Sequence, residues 1–150
     1  MGERRRTHPA LKNLATHPDG SITCVDPSVH PTFLPNIEKT GRGGRAPLIP
    51  SRSGDVLGGL DATAFDFIYV DGSHAKEDVL QNAVLSFRAA RPGAVIAFDD
   101  YLEDGPEWNR CEFAEPAIDA LPEIYADRLE ILDRCHKVWI RKRATEVQRD

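Results

Sequence analysis

The sequence contains little cysteine, and the few cysteines it has are widely spaced. Cys24, Cys111 and Cys135 are odd in number, and none belongs to a Cys-x-x-Cys pair. This spacing argues against a structural zinc site and against a disulfide framework. Reduced thiols are the interpretation that remains, and they are typical of a cytoplasmic protein.

The sequence also lacks a long hydrophobic run and a basic surface pattern. No stretch approaches the roughly 20 apolar residues of a membrane span, and the charged N-terminus has no apolar core of a signal peptide. The net charge is −5 at pH 7, and the basic clusters Arg4–Arg6 and Arg141–Arg143 lie near the chain ends. We therefore expect neither a membrane partner nor a nucleic-acid partner.

A glycine-rich loop between a strand and a helix is missing as well. The one glycine cluster, at 41–45 (GRGGR), follows a predicted helix and not a strand. It therefore lacks the context of a phosphate-binding or cofactor-binding loop, and a plain loop is the better interpretation. There is no Walker motif, and no lysine stands out near the acidic residues described below, so phosphoryl transfer is disfavoured.

What the sequence does contain is a regular alternation of strand and helix patterns. Short apolar runs between turn residues are typical of buried strands, and apolar residues at helical spacing are typical of amphipathic helices. Strands are predicted at 21–26, 46–50, 65–70 and 94–98, with two more within 128–143. Helices are predicted at 31–41, 53–60, 74–91 and 111–126.

This alternation predicts one α/β domain with a mostly parallel sheet. A chain of 150 residues with 41% hydrophobic residues is long enough to bury one core. The predicted domain covers 21–143. Residues 1–20 form a disordered or helical N-terminal segment, and residues 144–150 form a C-terminal tail.

Aspartates close several of the predicted strands. Asp26 follows the first strand, Asp71 follows FDFIYV, and Asp99 and Asp100 follow AVIAF. The carboxyl ends of parallel strands meet at one edge of the sheet, where ligands bind in this fold class. Carboxylates that gather there repel one another unless a cation joins them.

A divalent cation is one candidate for that role. Mg²⁺ prefers oxygen ligands, which Asp71, Asp99 and Asp100 would supply, and it keeps positions open for substrate. It would orient a substrate hydroxyl and lower the pKa of that group. His74, three residues after Asp71, would then accept the proton as general base.

A structural role competes with this interpretation. In this alternative, Asp71 and Asp99 are helix N-caps that follow a strand, a common use of aspartate in α/β proteins. His74 would then lie in the first turn of the following helix. The sequence around either aspartate alone favours neither interpretation.

The segment from Phe65 to Tyr101, FDFIYVDGSHAKEDVLQNAVLSFRAARPGAVIAFDDY, resembles the second half of a class I S-adenosylmethionine-dependent methyltransferase. It is most similar to the metal-dependent O-methyltransferases of the macrocin or sugar type. The resemblance implies a Rossmann-like fold with an antiparallel last strand. It also implies S-adenosylmethionine and Mg²⁺ as cofactors, and a small-molecule hydroxyl as acceptor, with a sugar as one candidate.

The same resemblance assigns roles to single residues. It implies that Asp71, Asp99 and Asp100 bind the metal and that His74 is the catalytic base. SITCVDP resembles the strand whose terminal acid contacts the cofactor ribose, so Asp26 takes that role. PSRSGDVLGGL resembles the segment near the adenine, which implies that Ser53 binds the cofactor, as Asp71 also does.

The sequence departs from the family at its start, because the first strand and its glycine-rich loop are missing. This predicts an N-terminally truncated O-methyltransferase. The alternative is a non-catalytic remnant that binds only a ligand or a partner. An unpaired strand edge invites a partner chain, which leaves a homo-oligomer open. A related cephalosporin-hydroxylase-like group shares the metal-site layout, so the acids alone do not fix the reaction.

Overall fold

The computed structural model describes residues 17–41, 43–102 and 114–144. This part of the chain divides into two compact units, with the boundary between Val56 and Leu57. The predicted limits of the α/β domain, residues 21 and 143, are not tested by this division and stay predictions. The helices of the described ranges are all too short or too polar to cross a bilayer.

The first unit contains a small parallel sheet. Strand β1 (Cys24–Val25) pairs with β2 (Leu48–Ile49). Helix α1 (Phe33–Glu38) lies between them in the chain and contributes the buried Ile37 to a small apolar cluster. Helix α2 (Ser53–Leu57) follows β2. The predicted strands and helices of this region are therefore present, though shorter than predicted.

The second unit is built on a four-stranded sheet. Its strands are β3 (Phe65–Val70), β4 (Ala90–Phe98), β5 (Leu129–Arg134) and β6 (Val138–Lys142), in the order β3-β4-β6-β5. β3 and β4 are parallel, whereas β6 is antiparallel to both of its neighbours, β4 and β5. Three strands thus share one direction and the last is reversed, which confirms the predicted α/β class and the antiparallel last strand.

Two helices of this unit bury an apolar face. α3 (Lys76–Ala89) and α4 (Glu115–Tyr125) pack against each other. Residues spaced four apart on α3 lie on one side of the helix, and the buried ones form a stripe. The core combines buried residues of both helices with those of the strands, among them Val79, Ala83, Phe87, Ile96, Phe98, Ile118, Leu121 and Ile140.

The C-terminal end of α3 is held by a lysine from the last strand. The Lys142 ammonium donates hydrogen bonds to the carbonyl oxygens of Phe87 (2.8 Å) and Ala90 (2.7 Å). Carbonyls at this end of a helix lack partners within the helix, and a cation there is favoured by the helix dipole. Burial, together with the nearby Arg128, lowers the pKa of Lys142.

One strand starts earlier than the sequence predicts. Arg91-Pro92-Gly93 reads as a helix-ending loop, but β4 already begins at Ala90. The pairing is irregular here, since Phe65 pairs with Ala90 and Phe67 pairs with Val95. Gly93 has φ +85°, a conformation that costs glycine little. The glycine thus allows a bulge inside the strand, and the strand is not broken.

Candidate active site

The register of β3 and β4 places two of the predicted site residues side by side. Val70 and Phe98 are partners at the ends of these parallel strands. Asp71 and Asp99 are the next residues of their chains. The backbone N–H of Asp99 donates to the Val70 carbonyl at 2.9 Å, which extends the pairing to the point where the side chains diverge.

Asp100 completes a cluster of carboxylates at this edge of the sheet. One oxygen from each of Asp71, Asp99 and Asp100 lies within 4.8 Å of the other two. We call these three residues the acidic cluster. The Asp99 side chain is only 4% exposed, while Asp71 and Asp100 are half-buried. The sequence therefore predicted correctly that the acids following these two strands converge.

The helix-capping interpretation of Asp71 is wrong. Helix α3 starts at Lys76, and its N-cap residue is Ala75, four positions beyond Asp71. Asp99 is not a helix N-cap either, because residues 100–102, which follow it, are not helical; its two oxygens accept hydrogen bonds from the side chains of Tyr69 and Lys137. Both carboxylates thus belong to the edge of the sheet and not to a helix end.

His74 lies beside the acidic cluster, ahead of α3 and not in its first turn. Its Nε2 is 3.8 Å from Oδ2 of Asp100, and both side chains are 43% exposed. A pocket contains His74, the acidic cluster and the apolar residues beneath it, and its lining residues include Val70, Gly72, Ser73, Val79, Phe98, Ala114 and Ile118. The imidazole is therefore open to the pocket while it stays close to a carboxylate.

A lysine that the sequence analysis did not identify lies beside the acidic cluster and pairs with one of its carboxylates. The Lys137 ammonium forms an ion pair with Asp99 Oδ1 and donates to the Tyr69 hydroxyl at 3.0 Å. The Tyr69 hydroxyl donates in turn to Asp99 Oδ2 at 2.6 Å. Burial lowers the pKa of Lys137, but the hydrogen bonds with Asp99 and Tyr69 outweigh it, and the pKa is raised overall.

The expectation that no lysine stands near the acids is therefore wrong. Lys137 directly precedes β6, the antiparallel strand beside β4. Because β6 runs opposite to β4, it begins at the edge of the sheet where β4 ends. The residue before β6 therefore lies at the acidic cluster. The predicted strand direction contained this signal, although Lys137 is 38 residues from Asp99 in the chain.

The turn after β4 is fixed on both sides of Asp100. On one side, Asp99 is held by Tyr69 and Lys137. On the other, the backbone N–H of Tyr101 donates to the His136 carbonyl at 3.0 Å, and the Tyr101 hydroxyl donates to Asp119 at 2.9 Å. Burial and the Asp119 carboxylate raise the pKa of Tyr101. From its position after the acidic pair, Tyr101 suits either an acceptor pocket or packing, and its burial at 6% exposure favours packing.

Asp100 itself adopts a left-handed backbone conformation, with φ +52°. Residues with a side chain lose roughly 1 kcal/mol or more in this region, and glycine does not. We expect Asp100→Gly to be about 1 kcal/mol more stable than Asp100→Ala, because only glycine tolerates this φ freely. Urea unfolding of the two variants measures the difference, and equal stabilities would contradict the assignment of strain.

The remaining predicted site residues belong to the first unit or to undescribed positions. Asp26 follows β1, and its Oδ1 accepts a hydrogen bond from the backbone N–H of Ser28 at 2.7 Å. Ser53 is the first residue of α2 and is half-buried. Three further residues follow the acidic pair in the sequence. Trp108 is a candidate for lining an acceptor pocket or packing in a surface loop, and Glu103 and Asp104 are second-choice metal ligands; all three lie outside the described residues.

Comparison with known proteins identifies the family of this chain. A family model described as a methyltransferase domain matches residues 6–101. The chain belongs to this methyltransferase family. A search of curated proteins gave no significant match.

Solved structures share the fold of this methyltransferase chain. A Corynebacterium glutamicum protein is 18% identical, with a TM-score of 0.65, and the match covers 85% of this chain and 62% of that one. The O-methyltransferase TomG from Streptomyces achromogenes, solved with S-adenosylmethionine, is 18% identical, with a TM-score of 0.63 and coverages of 85% and 64%. MycE, a methyltransferase of mycinamycin biosynthesis solved with Mg and S-adenosylhomocysteine, is 15% identical, with a TM-score of 0.58 and coverages of 87% and 40%.

These likenesses establish a class I methyltransferase fold. The chain spans between 62% and 64% of the length of the first three similar structures. The Rossmann-like architecture that the motifs implied is thereby confirmed.

The acidic cluster of this chain suits a hard divalent cation. Its donors are all carboxylate oxygens, the ligands that Mg²⁺ and Ca²⁺ take. Ligands about 2.1 Å from an octahedral ion lie at most about 4.2 Å apart. The observed limit of 4.8 Å is slightly wider, so a small inward movement of the side chains would bring all three to one ion.

Proposed function

We propose that this chain is part of an S-adenosylmethionine-dependent O-methyltransferase that acts on a hydroxyl of a small molecule with a divalent metal. A sugar is one candidate acceptor. The observation that supports the proposal is the convergence of Asp71, Asp99 and Asp100 within 4.8 Å, beside His74, in a chain of a methyltransferase family.

In this proposal each residue at the edge of the sheet has a distinct task. Asp71, Asp99 and Asp100 hold the cation. When bound, a divalent cation orients an acceptor hydroxyl and makes it more acidic. His74 accepts the hydroxyl proton, for which its exposure to the pocket and its position beside the acidic cluster, 3.8 Å from Asp100, are favourable.

The cofactor roles rest on the family resemblance. Asp26 is proposed to contact the cofactor ribose and Ser53 the adenine side, and Asp71 is proposed to bind the cofactor as well. Methyl transfer from a sulfonium is an in-line displacement, so the acceptor oxygen must lie about 3 Å from the methyl carbon. The fixed turn after β4 supports that requirement, because it holds the acceptor side of the site in one geometry.

Titration of this chain with S-adenosylhomocysteine tests the proposal. We expect saturable heat below millimolar concentration, and weaker binding for Asp26→Ala if the ribose contact is correct. S-adenosylhomocysteine is used because it occupies the cofactor site without reacting. The absence of heat at millimolar ligand would overturn cofactor binding by this chain and favour the non-catalytic remnant.

A further inference from the structure

Lys137 closes a ring of three side chains on Asp99. Its ammonium pairs with Oδ1 of Asp99 and donates to the Tyr69 hydroxyl, and that hydroxyl donates to Oδ2 of Asp99. Both oxygens of this carboxylate therefore already accept a hydrogen bond. Asp99 is the most buried member of the acidic cluster, with a side chain that is 4% exposed, whereas the Lys137 side chain is 36% exposed. Solvent therefore screens the pairing from the lysine side only.

A divalent cation at the acidic cluster would meet this ammonium directly. A ligand oxygen of Asp99 lies within 4.8 Å of those of Asp71 and Asp100, and the Lys137 ammonium contacts Asp99 itself. An ion among the three carboxylates would thus lie within a few ångströms of a like charge. Together with Lys137, the three carboxylates have a formal charge of −2, whereas alone they have −3. A site with a smaller negative charge binds a cation more weakly.

We propose that Lys137 is an affinity-determining residue, whose ammonium competes with a divalent cation for Asp99. The inference rests on the proposed cation site. The ammonium neutralises part of the acidic cluster when no cation is bound, and it makes binding weaker than three free carboxylates would. Lys137 acts through Asp99 and is therefore a positioning residue.

Mn²⁺ binding to the full chain, measured by isothermal titration at neutral pH, tests this. We expect Lys137→Met to bind Mn²⁺ at least about tenfold more tightly than wild type, because removal of one positive charge near a divalent ion is worth this much even at the dielectric constant of water. Lys137→Arg keeps the charge and should stay within about threefold of wild type.

A matched control separates a local effect from a change in net charge. Arg141 lies on β6, four residues after Lys137, in an exposed pair with Glu130. That distance is about 13 Å along a strand, beyond a Debye length at physiological salt. Arg141→Met should leave Mn²⁺ affinity unchanged.

Removal of Lys137 leaves Asp99 buried without its cation, so folding is checked by circular dichroism. If Lys137→Met is unfolded, Lys137→Gln replaces it, since its amide can still donate to Asp99 without a charge, and the same rise is expected. Wild-type binding with no rise in the neutral variants would overturn the competition and leave the cation site standing. No Mn²⁺ binding by wild type or any variant would overturn both proposals.

Discussion

Asp71→Asn is expected to lower the Mn²⁺ affinity of the chain by about 100-fold or more. The substitution keeps the size of the side chain but removes the full negative charge of one ligand. Attraction between the cation and the negative charges of its ligands is the dominant interaction in an all-carboxylate site. Asp71 is chosen because it is half-buried at the end of β3 and one of its oxygens is shielded from water. Isothermal titration against wild type measures the loss.

Asp66→Asn is the control for this prediction. Asp66 lies on β3, the strand that ends directly before Asp71; it is exposed and pairs with Arg91. It lies five residues before Asp71, which is about 17 Å in an extended strand. Its substitution should leave Mn²⁺ affinity unchanged. An Asp71→Asn variant that binds Mn²⁺ as tightly as wild type would remove Asp71 from the ligand set.

The largest effect on stability is expected at Phe87. Its side chain is 1% exposed, and its ring stacks on Tyr125 with centroids 3.9 Å apart. The Lys142 ammonium lies 4.9 Å from the same ring centroid. Truncation to alanine leaves a cavity between α3 and its neighbours, and such changes cost about 3–5 kcal/mol. Chemical unfolding of Phe87→Ala should show this loss.

Phe67→Ala provides the comparison with a less buried aromatic residue. Phe67 lies on β3, is 36% exposed, and stacks on Trp139 at 6.1 Å. Because little of its area is removed from water completely, its truncation should cost less than half as much as that of Phe87. Equal losses for the two variants would mean that the core is centred elsewhere.

The sequence predicted the strand-end acids because their position follows from local pattern alone. FDFIYV and AVIAF are recognisable as buried strands, and parallel neighbours place the residues that follow them at one edge. The convergence of Asp71, Asp99 and Asp100 therefore needed no knowledge of distant contacts. The lengths of β1 and β4 were less accessible, because they depend on pairing and on a bulge at Gly93.

The partners of Asp99 were harder to predict, for a physical reason. Tyr69 is 30 residues and Lys137 is 38 residues away in the chain, and a strand tyrosine or a turn lysine has no local feature that marks a role. Only the order β3-β4-β6 brings these groups together. The left-handed conformation of Asp100 was equally hidden, since it is imposed by the turn that Lys137 and His136 hold on either side.

The register between β3 and β4 links ligand binding to folding. Asp71, Asp99 and Lys137 come from separate parts of the chain, and they meet only when β3, β4 and β6 are paired. A cation held by the carboxylates of Asp71, Asp99 and Asp100 would have little affinity for the unfolded chain, where these groups are apart. Ligands of this kind stabilise the folded state by mass action, by about 2.7 kcal/mol at 100 times their dissociation constant. At the proposed cation site, assembly of the sheet and binding of the ion would thus be one coupled equilibrium.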